Sequence, residues 1–360
     1  MRVEEINDYG EFLALEKDWR NLLQKSEHTV FLTWEWLSTW WKHYGKDKKL
    51  LLLLVKENNE ILGIAPLMYS VYRMFGLRIG KVEFIGSPHS DYNDFILAKK
   101  KLECIKLFVN YLFNHPEKWE CIDLMDIPET SKNIAFLREL SKRTEKFHKC
   151  PYIPLPKSYE EFLARLSSNQ RRYIKKNLRK LEKAFEVEVT ECVEPHFINE
   201  GMAWLFKLHQ KRWESKGFEG AFSDEKFRSF HLDIAHIFSQ KGWLGLFLLK
   251  LSGTPVAADY GFRYQSKYYA YLPGFDPKYS KYSVGNMLRA YLIRKFISEG
   301  LREFDFMRGA EEYKKRWRAV ARWNYRVIII RNGLTAKIRH WLYNQYWQQA
   351  SKLKYLMKIK

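Results

Sequence analysis

One carboxylate, Asp259, interrupts the otherwise apolar run 256–262. Held on a strand away from water, it is a base able to take a proton from an ammonium group; on the outward face of an alternating strand it would only meet solvent. A second acid, Asp305, lies between Phe304 and Phe306 and close to Arg308. For it, a buried ion pair and a catalytic role are both open. Between the two acids lies a segment suited to phosphate. The β-rich run 268–272 breaks at Pro273-Gly274, and a basic loop carries Lys278 and Lys281. A helix follows that Ser283 is placed to cap, with Gly285 and Asn286 in its first turn. Unsatisfied N–H groups and partial positive charge at a helix start attract phosphate. A short strand, 303–307, then ends in Arg308-Gly309. Strand, broken edge, polar loop, helix and strand make a place for an extended thioester cofactor with its phosphates on the helix end. The chemistry that goes with such a place is acyl transfer.

A repeated α/β unit would position these residues. LLLLVKENNEILGIAPLMY (51–69) reads as strand, polar turn, strand, and LFLLKLSGTPVAADYGFRY (246–264) reads the same way, turning at Ser252-Gly253. Each is followed by a third strand (81–85 and 267–272), a helical pattern (102–113 and 286–297) and a short strand in CIDLMDIP or FDFMRGA. Helical segments precede each meander, at 11–23 and 33–43 and again at 170–184 and 196–216. Duplication of one unit is the economical reading; the plainer one is that meanders with a crossover helix resemble one another. The boundary falls in the proline-rich CPYIPLP (150–156), which gives units 1–150 and 151–333 and a basic aromatic helix, 334–360. The copies differ before the helix. The first has the acidic SPHSDYNDF and the second the basic loop, so the second is the expected cofactor binder and the first the acceptor side or scaffold.

The chain has 62 Lys and Arg against 42 Asp and Glu, a net charge of +20, which favours anionic partners without choosing among them. No apolar run approaches a membrane span, and the start lacks a signal pattern, so a cytoplasmic location is expected. The four cysteines form no CxxC pair, and His231 with His236 has the wrong spacing for a helical ligand pair; no metal is expected.

At these residues the sequence resembles the BioF2-like acetyltransferase group of the GNAT superfamily. That group borders the Fem-type aminoacyl transferases and includes cellulose- and exopolysaccharide-biosynthesis proteins. The matching words are YLPGFD (271–276), Ser283-Val284-Gly285 leading into Leu288, DFMRG (305–309), and Tyr313-Lys314 with Trp317. FLTWEWLSTWW, GIAPLM and FIGSPHSDYNDF match in the first half, so the resemblance runs from about 29 to 331. It implies tandem α/β (α+β) GNAT units, mixed sheets flanked by helices, with strands 268–272 and 303–307 splayed to admit a pantetheine arm. It implies acetyl-CoA or another acyl-CoA as co-substrate. Backbone N–H groups near Leu272 and Gly274 would polarise the carbonyl, Tyr313 would protonate the leaving thiolate, and Lys314 would bind phosphate or an oxyanion. Lys278, Lys281, Ser283, Gly285, Asn286 and Arg308 would complete the cofactor site. The phosphate loop departs from the usual one in keeping Gly285 alone of its glycines, which leaves room for an acyl carrier protein or aminoacyl-tRNA as donor.

The expected activity is N-acyl transfer to an amine of an amino sugar or a polysaccharide or envelope precursor. A Fem-like aminoacyl-tRNA-dependent transferase and a non-catalytic scaffold of a polysaccharide synthase are the alternatives. The basic helix NQRRYIKKNLRKLEK (169–183) reads first as an amphipathic surface helix and second as a tRNA or carrier contact, so tRNA is not the favoured partner. The tail, with Trp341, Tyr343, Tyr346 and Trp347 among Lys and Arg, either lies at a membrane interface as a peripheral contact or clasps the second unit.

Overall fold

The computed structural model describes residues 1–345 apart from 75, 116–118, 142 and 344. The chain forms two compact units, one of Met1–His148 with the described residues from Trp323 onward, the other Lys149–Arg322.

In the first unit the strands run in the order Arg2–Ile6, Lys48–Glu57, Glu60–Met74, Leu77–Phe84, Cys121–Pro128 and Val320–Ile330. Neighbours are antiparallel except Leu77–Phe84 beside Cys121–Pro128. A parallel pair needs a crossover, and Lys101–Asn114 supplies it as a helix. Residues 50–55 are buried on both faces of their strand, which explains their unbroken hydrophobicity. Leu51, Leu53, Val82, Phe84, Phe108 and Ile122 make the centre of this core.

The second unit repeats the order with Val187–Glu191, Leu244–Leu251, Thr254–Tyr264, Lys267–Phe275 and Glu303–Asp305, completed by the end of Arg143–Pro154. Again one pair is parallel, Lys267–Phe275 with Glu303–Asp305, and the helix Val284–Ser298 makes the crossover. Phe247, Val256, Met287, Phe296, Phe304 and Trp317 fill its core.

One placement differs from the expected boundaries. Residues 323–333 cluster with the first unit, because Val320–Ile330 pairs antiparallel with Cys121–Pro128, Ile328 opposite Asp123. The described part of the tail helix also clusters with the first unit. Tyr343 and His340 are buried, and the Lys81 ammonium lies 4.6 Å from the Tyr343 ring centre. Leu334, Ile338 and Trp341 stay exposed at 74%, 48% and 58%, while Tyr346 and Trp347 lie outside the described residues. Among the described residues no helix is long and apolar enough to cross a membrane.

Candidate active site

The parallel strands of the second unit pair over three positions only: Lys267 with Glu303, Tyr268 with Phe304, Tyr269 with Asp305. Beyond that point they part. Lys267–Phe275 stays with Thr254–Tyr264 until Phe275 faces Ala257, while the Phe306 N–H donates to the Pro151 carbonyl at 2.9 Å. A bulge between Tyr260 and Gly261 bends the strand just there. A Cβ on Gly261 would meet the Tyr269 carbonyl oxygen at 2.1 Å, so glycine is required.

A cavity of about 320 Å3 lies past the parting and is walled by Pro273, Phe275, Ser283, Gly285, Asn286 and Tyr313, with Arg212, Lys216 and Arg289 contributing charge. Ser283 starts the helix Val284–Ser298, but its side chain does not cap it. Its backbone is left-handed (φ 56°, ψ 39°), and its carbonyl accepts from the Asn286 and Met287 N–H groups at 2.9 and 3.0 Å. The capping work nearby falls to Asp276, which accepts the Lys278 N–H at 3.0 Å and binds Lys211 at 2.5 Å. Without a side-chain cap, the positive end of the helix forms one wall of the cavity.

Asp259 is 4% exposed and accepts the Tyr268 hydroxyl at 2.6 Å, so it faces the core side of its strand and not solvent. Burial pushes its carboxyl above the ordinary range; the Tyr268 bond and then the Arg289 and Arg212 charges oppose this. Tyr313 is half-buried, with the Arg289 guanidinium 4.8 Å from its ring centre.

Four of the residues expected from sequence therefore line the cavity: Ser283, Gly285, Asn286 and Tyr313. Others lie elsewhere. Leu272 and Gly274 stand opposite Tyr260 and Ala258, and the ladder alternation set by the Asp276 N–H on the Val256 carbonyl directs their amides into that pairing. Gly274 also lets helix Pro195–Glu214 approach, since a Cβ there would meet the His209 nitrogen at 2.5 Å. Lys278 and Lys281 are exposed on the 3-10 helix Pro277–Tyr282, outside the cavity wall. Arg308 is half-buried and is likewise not part of the wall. Asp305 is fully buried in an ion pair with Arg322 and accepts the Met307 N–H at 2.8 Å. Its charge is spent on structure.

Lys314 also proves structural. It is 3% exposed, and its ammonium donates to the carbonyls of Phe306, Met307, Arg308 and Gly309 at 3.2, 3.4, 3.2 and 3.0 Å and to Glu311 at 2.8 Å. No proton is left for phosphate or an oxyanion. Lys314→Met is expected to cost about 1–3 kcal/mol by stranding those carbonyls. A urea midpoint indistinguishable from wild type would show that the loop does not depend on the ammonium.

Arg212 and Arg289 were not legible as site residues. Both sit in helical stretches rich in Lys and Arg, and only tertiary packing turns these two inward. His209, one turn before Arg212 on the same face, donates its Nδ1–H to the Pro273 carbonyl at 3.0 Å, since a carbonyl can only accept. Burial lowers its pKa to about 4, so it stays neutral.

Residues 168–315 match the family described as the acetyltransferase (GNAT) domain. No curated protein matches the chain in sequence. Among solved structures, the crystal structure of FemX is 13% identical with a TM-score of 0.63, covering 92% of this chain and 98% of that one. The C-terminal DUF2156 domain of a putative lysylphosphatidylglycerol synthetase from Agrobacterium fabrum is 11% identical (TM-score 0.57; 92% and 95% covered). A tandem GNAT protein from the clavulanic acid biosynthesis pathway is 8% identical (TM-score 0.51; 92% and 99% covered). At such identities the likeness is one of fold alone.

Proposed function

From the premise that this chain carries a GNAT acetyltransferase domain and is an acyltransferase, we propose that its second unit moves an acyl group from a thioester, in the first instance acetyl-CoA, to an amine. The observation that carries this reading is the cavity past the parted strands, where an uncapped helix start, two arginines and Tyr313 form the wall and the buried Asp259 carboxyl lies behind it, within electrostatic reach of both arginines. Asp259 takes the proton of the attacking ammonium group, and Tyr313 returns one to the leaving thiolate. The wall residues fit the donor: the first-turn amide of Gly285 at the helix start suits its phosphates, and Phe275 offers an apolar surface to its arm. When bound, the thioester supplies the activated acyl group. The acceptor, following the resemblance, is an amino sugar or a polysaccharide or envelope precursor amine met at the cytoplasmic side of the membrane.

Gly285→Glu tests the donor site. The glycine's Cβ position is 3.4 Å from Phe275, so a side chain is tolerated there, but a carboxylate would repel phosphate at the helix start. Acetyl-CoA or a longer acyl-CoA is expected to raise the wild-type melting temperature by mass action and to leave the variant unmoved. Absence of any shift in the wild type would remove acyl-CoA as donor.

A second reading, aminoacyl-tRNA as donor, is favoured by one observation. Arg171, Arg172, Lys175, Lys176, Arg179, Lys180 and Lys183 share an open face of helix Ser168–Ala184. Lys180 donates to the Lys281 carbonyl at 3.1 Å, and Tyr173 meets Asn286 at 3.3 Å, so this face adjoins the cavity mouth. Its length, about 18 Å at 1.5 Å per residue, exceeds what the phosphates of one CoA occupy. Binding of charged tRNA that falls steeply with salt would select this donor.

A further inference from the structure

Two guanidinium groups converge on the cavity of the second unit, and no carboxylate of the described residues lies in ion-pair contact with either; Glu311 acts on Arg212 only from a distance. Arg289, on helix Val284–Ser298, is 7% exposed; Arg212, on helix Pro195–Glu214, is half-buried. Arg212 donates to the Pro273 carbonyl at 3.3 Å and lies 5.4 Å from the Phe275 ring centre. Arg289 donates to Asn286 Oδ1 at 3.0 Å and stacks over Tyr313. These contacts orient both groups and cancel neither charge. The Nε of each is shielded from solvent and has no hydrogen-bond partner among the described residues. Asp259 acts on both from a distance, its hydrogen bond being with Tyr268. Burial pushes the Arg212 guanidinium below its ordinary range, and the neighbouring Arg289 charge adds to that.

A buried cation without a partner is costly, and two that repel one another are more so. The expense is removed when an anion enters. Guanidinium forks match the oxygens of a carboxylate or phosphate, and two of them aimed into one small cavity select a small oxyanion. A volume of about 320 Å3 lies at the low end for ligand sites and suits a small acceptor or one end of a larger one.

We propose that Arg212 and Arg289 bind an oxyanion carried by the acyl acceptor, a carboxylate or phosphate monoester close to its amine, and thereby present that amine to Asp259. This rests on the reading of the cavity as the acyl-transfer site. Acceptors that lack the anion are then rejected, because they leave both guanidiniums buried and unpaired.

The test uses binding by the full chain, so it stands apart from any failure of acyl-CoA to bind or of turnover to appear. Melting temperature is followed against sodium phosphate and sodium acetate at constant ionic strength, for wild type, Arg212→Met, Arg289→Met and Arg294→Met. Arg294 is an exposed cation of the same helix and serves as control. Saturable stabilisation of wild type and control is expected, with the half-saturating concentration raised at least tenfold in Arg212→Met and Arg289→Met. Preference for acetate or for phosphate tells which oxyanion is bound, and a response that saturating CoA abolishes would assign the two arginines to the donor's phosphates and overturn the proposal. Without anion, Arg289→Met is expected to melt no lower than wild type, since methionine keeps the packing and removes the uncompensated charge. A wild type that does not respond, an equal response in the arginine variants, or an Arg289→Met protein that melts well below wild type would overturn the proposal. The last result would assign Arg289 to holding the Phe306, Tyr313 and Trp317 rings together.

Discussion

Asp259→Asn is expected to lower kcat/KM for amine acylation by about two to four orders of magnitude, the usual worth of a general base. Asparagine keeps the size of the side chain and can still accept the Tyr268 hydroxyl, now 2.6 Å from Oδ1, so the fold is preserved. What disappears is the ability to take a proton. The pH profile separates this from a positional effect. Burial raises the Asp259 pKa, opposed by Tyr268, Arg289 and Arg212. Wild-type activity should therefore climb with pH through that raised value, and the variant should lose that limb. The stability sign runs the other way. A carboxyl whose pKa is raised by folding binds its proton more tightly in the native state, so the native state gains stability as pH falls and gives it up as pH rises. Asp259→Asn should then be at least as stable as wild type at neutral pH. A variant with full activity and an unchanged acid limb would eliminate Asp259 as the base.

The legibility of these residues in the sequence followed from how far each signal was local. Asp259 stood out because one charge in a run of Val, Ala, Tyr and Phe conflicts with its surroundings, and such conflicts mark functional sites. The repeat was legible for the same reason: strand, turn, strand, helix and strand follow one another within each half, and the strands of both units follow the same order. Arg212 and Arg289 were not, because arginine on an amphipathic helix is normally a solvated residue, and the packing against Pro273 and Tyr313 that turns them inward is tertiary. The last strand fell between these cases. VARWNYRVIII declares a strand by its pattern, but nothing local says which sheet edge it joins. Lys314 misled for a subtler reason. In EEYKKRW it looks like part of a solvated charge run or a ligand contact, whereas a loop of four carbonyls pointing one way needs a buried ammonium.

The repeat also explains why Asp305 is not catalytic, and it leads to the largest stability effect expected in the chain. In each unit the short strand after the crossover helix carries an acid, Asp123 in one and Asp305 in the other, and each is fully buried against an arginine of Val320–Ile330. A role that recurs in both copies belongs to the fold and not to the chemistry. Asp123 binds Arg326 at 2.6 and 2.7 Å and the Lys81 ammonium at 2.6 Å, and Lys81 also meets Glu83 at 3.1 Å. Burial alone would raise its pKa, but Lys81 and Arg326 outweigh that and hold it well below the usual carboxylate range. Asp123→Asn leaves Lys81 with Glu83 alone and Arg326 with only the exposed Glu145 at 3.7 Å, and a loss of about 3–5 kcal/mol is expected, the cost of breaking a buried pair from one side. The sign with pH is the ordinary one for a depressed carboxyl. The contribution is complete above the unfolded-state pKa and fades as pH falls through the native one, so wild type should lose stability in acid more steeply than the variant. Urea midpoints at neutral and acid pH measure both quantities. A neutral-pH loss below about 1 kcal/mol would mean that water or chain relaxation neutralises Lys81 and Arg326, and the burial that justifies the estimate would have to be abandoned. If the loss is found, then a fold that accepts a buried charge wherever it has a partner has left Arg212 and Arg289 without one, and that contrast is the strongest reason to look for the anion they are missing.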